Sequence, residues 1–172
     1  ECPNSNGYSV QILVTTTIEL ESLIQKITNN STIPVTIAVY PNHGRDILPF
    51  LRVASKIEDS NTMIVKIHTK SSNHRLTGEF WRRELFENLL SFKKIDKALN
   101  YFNQNPHVGL IGPVGHIVPM NLYFGANAMA LRFFCKVFDI SSSELQTLNF
   151  IAGSMFFARL SALKPLLSLN IP

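Results

Sequence analysis

The hydrophobic pattern of the first seventy residues alternates between two periods. Apolar residues recur at helical spacing over 19–29 and again from Asp46 to Ile57, which predicts two helices. Short runs rich in Val, Ile and Thr predict strands over 9–15, 35–40 and 62–68. A β-α-β-α-β order is typical of a parallel sheet with right-handed crossovers. We therefore expect an α/β fold with a mostly parallel sheet flanked by helices.

The pattern after residue 78 predicts further helices and two more strands. Helices are expected over 79–91, 95–102, 128–138 and 162–169, and strands over 108–112 and 150–159. The first of these helices has an apolar stripe formed by Trp81, Leu85, Leu89 and Phe92. Residues 114–128 are expected to form a loop. Gly153 interrupts the last strand, where glycine often marks a bulge or a close backbone approach, and Ser161 is expected to cap the last helix.

Length and composition fit a folded globular domain. The chain has 172 residues, of which 45% are hydrophobic and 16% are charged, and this balance excludes a disordered chain. We expect a single domain over 1–172 with one substantial core. The net charge is +4, and the positive residues cluster over 66–94. An anionic ligand suits this charge, whereas nucleic acid is not expected as a partner, because its binders usually carry a more basic stripe.

The two cysteines, Cys2 and Cys135, have neither metal-binding nor redox spacing. Cys135 lies in the apolar run 131–138, so we expect a buried, unpaired thiol, with a bridge to Cys2 as the alternative. No apolar run reaches the ~20 residues that span a bilayer, so no transmembrane segment is expected. Because the chain lacks an initiator Met and stops directly after a helix-like segment, we expect a piece of a longer polypeptide.

Polar loops follow two of the predicted strands and carry candidate ligand-binding residues. Ligands of open α/β sheets bind beyond the carboxyl ends of the strands, so we expect the two loops to share one site. In the first loop, 41–46, Gly44 permits a close backbone approach and Arg45 can hold a phosphate. Asp46 suits the N-cap of the next helix or hydrogen bonds to a ribose or base. The alternative is a capped turn whose Arg45 and Asp46 pair with neighbours.

The second loop begins where the third predicted strand ends. Lys70 can contact a phosphate, and His68 can bind or position a ligand. Arg82, in the helix that follows, is a further candidate for phosphate or acceptor contact. A zinc site formed by His43, His68 and His74 is the alternative, although it lacks a recognised ligand spacing. The chain contains no Ser–His–Asp order, Walker A loop or Gly-x-Gly-x-x-Gly motif.

Five sequence blocks occur in an order that resembles the rhamnan synthesis protein F family, over about residues 8–169. The blocks are Asn42-x-Gly-Arg-Asp-x-x-Pro-Phe-Leu51, Lys66-Ile-His-Thr-Lys-Ser71, Trp81-Arg82, Val108-Gly-Leu-Ile-Gly-Pro113 and Ala152-Gly-Ser-Met-Phe-Phe-Ala-Arg159. That family is associated with building bacterial cell-surface polysaccharides, including rhamnose-containing ones. Five ordered blocks are more specific than any single motif.

The resemblance implies a glycosyltransferase domain of GT-A-like architecture, in which a Rossmann-type half binds a nucleotide-sugar donor. The implied acceptor is a bacterial cell-surface polysaccharide or lipopolysaccharide, or a lipid-linked glycan, and the implied sugar is rhamnose or another hexose. The implied donor-binding residues are Asn42, Gly44, Arg45, Asp46, His68, Thr69, Lys70 and Arg82. The implied acceptor side consists of Gly153, Ser154 and Met155. A cytoplasmic location at the inner face of the membrane is expected.

The chain departs from the glycosyltransferase pattern in two ways. His68-Thr69-Lys70 stands where many such enzymes carry an Asp-x-Asp metal site. Lys70 can neutralise a diphosphate leaving group, so no metal ligands and no tightly bound cofactor are expected, and a divalent ion is not favoured. Catalytic residues stay unassigned, because the chain beyond residue 150 contains no Asp or Glu to act as base. Family members continue past residue 172 into an acidic, His-containing segment that is expected to supply it.

Two other functions fit the same residues. A non-catalytic carbohydrate- or nucleotide-binding module of a polysaccharide-assembly protein needs the same loops but no base. A metal-dependent hydrolase needs the histidines and a bound zinc ion.

Overall fold

The computed structural model describes residues 8–69 and 78–169, with the backbone alone for 78–82. Its strands are β1 (Ile12–Thr16), β2 (Val35–Val39), β3 (Met63–Lys66), β4 (Leu110–Ile111), β5 (Ile117–Pro119), β6 (Asn149–Ile151) and β7 (Phe156–Arg159). Its helices are α1 (Ile18–Thr28), α2 (Ile47–Ala54), α3 (Gly78–Leu90), α4 (Phe92–Gln104), α5 (Ala128–Val137), α6 (Ser142–Thr147) and α7 (Leu160–Leu167). Two short 3-10 helices, Met120–Leu122 and Gly125–Asn127, precede α5.

These elements form two compact units. The first comprises the residues up to Ser60 together with those from Lys164 onward, and the second comprises Asn61–Leu163. The mixed α/β class expected from the sequence is confirmed. The single domain over 1–172 stays a prediction.

The first unit contains a parallel pair of strands. β1 and β2 lie in register from Ile12 opposite Val35 to Thr16 opposite Val39, and α1 connects them. The predicted β-α-β-α order is therefore found here, with α2 following β2. Both strands end at the same edge, because they run in the same direction.

The second unit contains an antiparallel sheet whose central strand is β7. It lies between β3 and β4 and runs antiparallel to both, with Lys66 opposite Phe156 and Leu110 opposite Ala158. A mostly parallel sheet was expected, and in residues 8–69 and 78–169 only β1 and β2 pair in parallel. The prediction is wrong for β3 because a strand's own hydrophobic pattern does not encode the direction of a neighbour far along the chain.

The predicted strand over 150–159 is two strands in different sheets. β6 pairs with β5, while β7 joins β3 and β4. The chain turns between them through Gly153 and Ser154, whose φ angles are 92° and 50°. Because positive φ is incompatible with extended backbone, the strand ends at this point. β5 lies within the stretch that was expected to be a loop, since three residues are too few to show a strand period.

The core of the second unit joins helices α3 and α4 to the sheet. Its buried residues are Leu85, Leu89, Ala98, Phe102, Met155 and Phe157. The predicted inward positions of Leu85 and Leu89 are confirmed. Phe92 was placed on the same stripe but is 66% exposed, because α3 ends before Ser91 and Phe92 begins α4 instead.

Hydrogen bonds from outside the helices lie near the start of α7 and at the end of α4. α7 begins at Leu160, whose backbone N–H donates to the Thr62 carbonyl at 3.0 Å, so Ser161 lies inside the helix and the predicted cap is wrong. Arg159 extends from β7 to the carboxyl end of α4. Its guanidinium donates to the carbonyls of Phe102, Val108 (2.9 Å) and Asn105 (3.3 Å).

Candidate functional site

The first predicted loop leaves the carboxyl edge of the parallel strand pair. The backbone N–H of Tyr40 donates to the Thr16 carbonyl at 2.9 Å, so the chain departs beside the end of β1. Gly44 and Arg45 follow with φ angles of 69° and 53°. A Cβ on Gly44 would lie 2.3 Å from the Leu48 Cβ, so this turn requires glycine for space as well as for φ.

Side chains in this loop face solvent. Asn42, Gly44 and Arg45 are exposed, whereas Asp46 is half-buried. Asp46 occupies the N-cap position of α2, as predicted, but its side chain makes no capping hydrogen bond. Its φ and ψ angles of −83° and −11° are helical, whereas a capping residue normally adopts an extended conformation. Polar groups are therefore displayed at the edge where α/β proteins bind ligands.

The second predicted loop begins beside the turn between β6 and β7. His68 Nε2 lies 2.9 Å from the Gly153 carbonyl oxygen and 3.5 Å from the Ser154 Oγ. Its Nδ1 lies 3.0 Å from the carbonyl oxygen of Thr69. One predicted donor-side residue thus contacts two predicted acceptor-side residues directly. Met155, the third acceptor-side residue, is fully buried in the core.

Lys66 holds the same turn from the interior. Its side chain is 4% exposed, and Nζ donates to the Ser154 carbonyl at 2.7 Å. The ammonium also lies 5.8 Å from the centre of the Phe156 ring. A buried ammonium is costly unless it is hydrogen-bonded, so this contact fixes both Lys66 and the turn. The positive φ at Ser154, unusual for a residue with a side chain, is maintained by these surroundings.

The chemistry of these contacts favours positioning over nucleophilic catalysis. Both ring nitrogens of His68 lie beside carbonyl oxygens, which only accept hydrogen bonds, so the nitrogen that carries the proton can donate to one of them. His68 Nε2 is closer to the Gly153 carbonyl than to the Ser154 hydroxyl. A base that activates a serine would instead need this nitrogen free to accept the hydroxyl proton. The site therefore presents a rigid turn with a positive charge beneath it.

A comparison with protein families identifies the chain. The family described as Rhamnan synthesis protein F matches residues 5–172. The chain belongs to the rhamnan synthesis protein F family. The resemblance expected from the five sequence blocks is thereby confirmed.

Two curated relatives of this rhamnan synthesis protein F chain are described as "Uncharacterized protein WxcX". They come from Xanthomonas campestris pv. campestris, strains B100 and ATCC 33913. Each is 37% identical over 166 residues, which make up 96% of this chain and 24% of the relative. The chain therefore spans about a quarter of the length of these relatives. No solved structure matches it.

Some predicted residues of this family member have no described side chain. Lys70 and His74 lie outside the described residues, and Arg82 lies in α3 where only the backbone is described. Within the part of the chain that the structure describes, no group of three or more His, Cys, Asp or Glu residues could hold a metal ion. In that same part, no helix has the length and apolar character needed to cross a membrane.

The two predicted loops belong to different units, so their common site stays a prediction. A cleft of about 640 Å³ lies in the first unit, lined by residues that include Asn29, Ser31 and Val35. Val35 begins β2, so this cleft is at the opposite end of the strand from Asn42 and Gly44. None of the predicted site residues lines it.

Lys66 is the residue that sequence reasoning missed. It entered the prediction as one of several positive charges and as the first residue of a family block, without a role of its own. Its neighbours Ile64, Val65 and Ile67 are apolar, and a lysine inside such a strand is a recognisable signal. Lysine is almost never fully buried unless it is paired, so its position in the strand could have indicated a specific partner.

Proposed function

We propose that this chain is part of a glycosyltransferase that moves a sugar from a nucleotide-sugar donor to a bacterial cell-surface polysaccharide or lipopolysaccharide acceptor. Membership of the rhamnan synthesis protein F family supports a role in polysaccharide synthesis. The observation that carries the proposal is the contact of His68 with Gly153 and Ser154. It joins one residue assigned to the donor side, His68, to two residues assigned to the acceptor side.

The donor side of the proposal uses the parallel half of a GT-A-like architecture. β1, α1, β2 and α2 provide one Rossmann-type unit, and the loop after β2 supplies its ligand-facing edge. Arg45 is an exposed cation suited to a diphosphate, and the two positive φ angles at Gly44 and Arg45 expose backbone in the turn. Lys70 would add a second cation and Arg82 a third.

The acceptor side of the proposal uses the turn at Gly153 and Ser154. Lys66 and His68 hold its two carbonyl oxygens, so the turn is fixed before a substrate arrives. Fixed groups stabilise a transition state without reorganising during the reaction. The buried Met155 supports the turn through core packing.

Titration calorimetry on the full-length polypeptide tests the donor assignment. The ligands are dTDP-, UDP- and GDP-sugars and the free nucleotides. We expect one nucleotide class to bind and the variants Asp46→Ala and Lys70→Ala to weaken it at least tenfold. Exposed residues elsewhere in the chain provide matched controls, Glu58→Ala and Lys93→Ala, which should bind as wild type does. Absence of nucleotide binding, or wild-type affinity in both site variants, contradicts the proposal.

Removal of divalent ions tests the role proposed for Lys70. Because a lysine is expected to neutralise the diphosphate, sugar transfer should continue in EDTA at close to the untreated rate. A loss of activity that Mg²⁺ or Mn²⁺ restores would show that a metal performs this role instead.

A binding module without catalytic activity is the second candidate. One observation favours it: no residue after Glu144 in this chain is Asp or Glu. An inverting transfer needs a carboxylate to deprotonate the acceptor hydroxyl. Transfer of radiolabelled sugar by the full polypeptide separates the two functions, because a binding module gives donor occupancy without product. The proposed location is the cytoplasm, at the inner face of the membrane.

A further inference from the structure

The cleft in the first unit lies between the end of α1 and the start of β2. Its volume of about 640 Å³ falls within the range of about 300–1,000 Å³ that is typical of small-molecule sites. The residues that line it lie between Gln25, in α1, and Ile37, in β2. The cleft is therefore built by one short segment of the chain and is separate from the loop that carries Asn42 and Gly44.

The polar side chains that line the cleft are uncharged. They are amides and hydroxyls, namely Gln25, Thr28, Asn29, Ser31 and Thr32. The other lining residues are aliphatic or proline, and none of the described residues around the cleft is charged or aromatic. Amides and hydroxyls can both donate and accept hydrogen bonds. This lining suits a neutral ligand that carries many hydroxyl groups.

Some of these polar groups are bonded within the protein, and others are available to a ligand. The Ser31 Oγ donates to the Ile33 carbonyl at 2.8 Å and accepts from the Ile33 backbone N–H at 3.2 Å. This pair of bonds fixes the connection between α1 and β2. In the part of the chain that the structure describes, the exposed side chains of Asn29 and Thr32 make no hydrogen bond to another residue.

The end of α1 adds acceptors and disfavours anions. The last carbonyl groups of a helix lack partners within it and form the negative end of the helix dipole. α1 ends at Thr28, which lines the cleft. Hydroxyl groups can donate to such carbonyls, whereas a phosphate is repelled by them. The cleft therefore differs in its chemistry from the loop at Arg45, where a cation is exposed.

We propose that this cleft is a saccharide-binding site whose ligand is a neutral stretch of glycan. Asn29 and Thr32 would hydrogen-bond the sugar hydroxyls, and the aliphatic side chains of Ile33 and Val35 would contact the C–H groups of the sugar rings. A protein partner fits this lining less well, because the centres of protein interfaces are enriched in aromatic side chains. Saccharide binding requires neither a nucleotide nor sugar transfer, so the inference goes beyond the proposed function.

Titration calorimetry of the full-length polypeptide with oligosaccharides, in the absence of nucleotide, tests the proposal. The probes are a rhamnose and a glucose oligosaccharide, which are neutral, and a chondroitin sulfate oligosaccharide of the same length, which is anionic. We expect a neutral probe to bind saturably and the sulfated probe to bind more weakly. Each lost hydrogen bond weakens binding about two- to tenfold, so Asn29→Ala/Thr32→Ala should weaken it roughly tenfold. Thr32→Trp, which fills the cleft, should abolish binding.

The residue next to Asn29 provides a matched control. Asn30 is exposed but does not line the cleft, so Asn30→Ala should retain wild-type affinity for the same probe. An equal loss of affinity in Asn30→Ala and in the double variant would overturn the proposal. So would a wild type that binds no neutral probe, or that binds the sulfated probe as tightly as the neutral ones.

The same variants separate this site from the proposed glycosyltransferase. A polypeptide that transfers sugar, and whose affinity for the neutral probes is unchanged in Thr32→Trp, would retain the proposed function and overturn the cleft site. A polypeptide that loses neutral-probe binding in Thr32→Trp, but neither binds nucleotides nor transfers sugar, would support the cleft site and contradict the proposed function. Lowered thermal stability in Thr32→Trp, with no saccharide bound by the wild type, would place another segment of the polypeptide in the cleft and overturn the proposal.

Discussion

At the scale of single residues, Lys66 and His68 together determine the shape of the turn at Gly153 and Ser154. These two residues are two positions apart in the chain. Lys66 contacts the carbonyl oxygen of Ser154, and His68 contacts the carbonyl oxygen of Gly153. Ser154 keeps a left-handed conformation that costs roughly 1–2 kcal/mol for a residue with a side chain. The ammonium beneath it helps to offset that cost, since hydrogen bonds to charged groups are stronger than neutral ones.

Replacing Lys66 should therefore destabilise the chain even though methionine fills similar space. We expect Lys66→Met to lower the free energy of unfolding by about 1–3 kcal/mol, because the Ser154 carbonyl loses a charged donor. Denaturant unfolding followed by circular dichroism measures the change. Lys97→Met, at an exposed position in α4, is the control and should change stability little. Equal stability of the two variants would show that the buried contact contributes nothing.

At the scale of secondary-structure elements, Arg159 links a strand to the end of a helix. Its guanidinium reaches three carbonyls around the carboxyl end of α4 and lies 4.9 Å from the centre of the Phe102 ring. The last carbonyls of a helix lack partners within it, and cations favour this end of the helix dipole. One side chain thereby attaches α4 to β7.

A lysine cannot reproduce this arrangement, because it is a point charge without the planar fork of arginine. Arg159→Lys should lower the free energy of unfolding by about 2 kcal/mol, the cost of a charged hydrogen bond that is lost. Thermal unfolding compared with Arg83→Lys, an exposed arginine of α3, checks this. A change of equal size in both variants would rule out a specific role for the three carbonyl contacts.

The hydrogen bonds that cap the first turn of helix α6 depend on pH. The Ser141 Oγ donates to Glu144 Oε2 at 2.6 Å, and the Ser141 backbone N–H donates to the same oxygen at 2.8 Å. These two bonds lower the pKa of Glu144 below its usual value of 4.5. A lowered pKa stabilises the fold above the unfolded-state value, and that contribution is lost as pH falls through the folded-state value. The capping box of α6 should thus weaken only in acid.

Side-chain titration by nuclear magnetic resonance measures this effect. In the wild type, Glu144 should titrate below 4.5, and Ser141→Ala should bring its pKa back toward that value. An unchanged titration in Ser141→Ala would mean that the hydroxyl is not the cause.

The secondary-structure elements differ in how well they could be predicted from their local sequence. The helical and strand periods were sufficient to predict β1, α1, β2 and α2. The reason is that these elements contact the elements next to them in the chain. α6 was missed, although Ser141 and Glu144 have the spacing of a capping box, because six residues show no apolar period. His68, Gly153 and Ser154 were each predicted as site residues. Their mutual contact was not predicted, since 85 residues separate His68 from Gly153 and only tertiary pairing brings them together.

At the scale of the whole molecule, the core and the candidate turn share residues. Met155 follows the turn directly and packs among Leu85, Leu89 and Phe102. Close packing transmits local changes, because core side chains have little free volume around them. Stability and the geometry of the turn are therefore coupled in the second unit.

Truncating a core leucine tests the close packing on which this coupling depends. We expect Leu89→Ala to lower the free energy of unfolding by about 2–5 kcal/mol, since Leu89 is fully buried. Leu122→Ala, at an exposed position, should change it by less than about 0.5 kcal/mol. Urea unfolding of both variants measures the difference, and similar values would mean that Leu89 is not part of a packed core.

The central position of β7 also determines when the second unit can fold during synthesis. Ser154, whose carbonyl accepts from Lys66, leaves the ribosome 88 residues after Lys66 itself. At about 5–20 residues per second, β3 waits roughly 4–18 s for the strand that pairs with it. Throughout that interval its edge is open to other nascent chains. A polypeptide that ends before residue 156 therefore lacks the strand that pairs with β3 in the described part of the chain, and it is a product for chaperones or proteases.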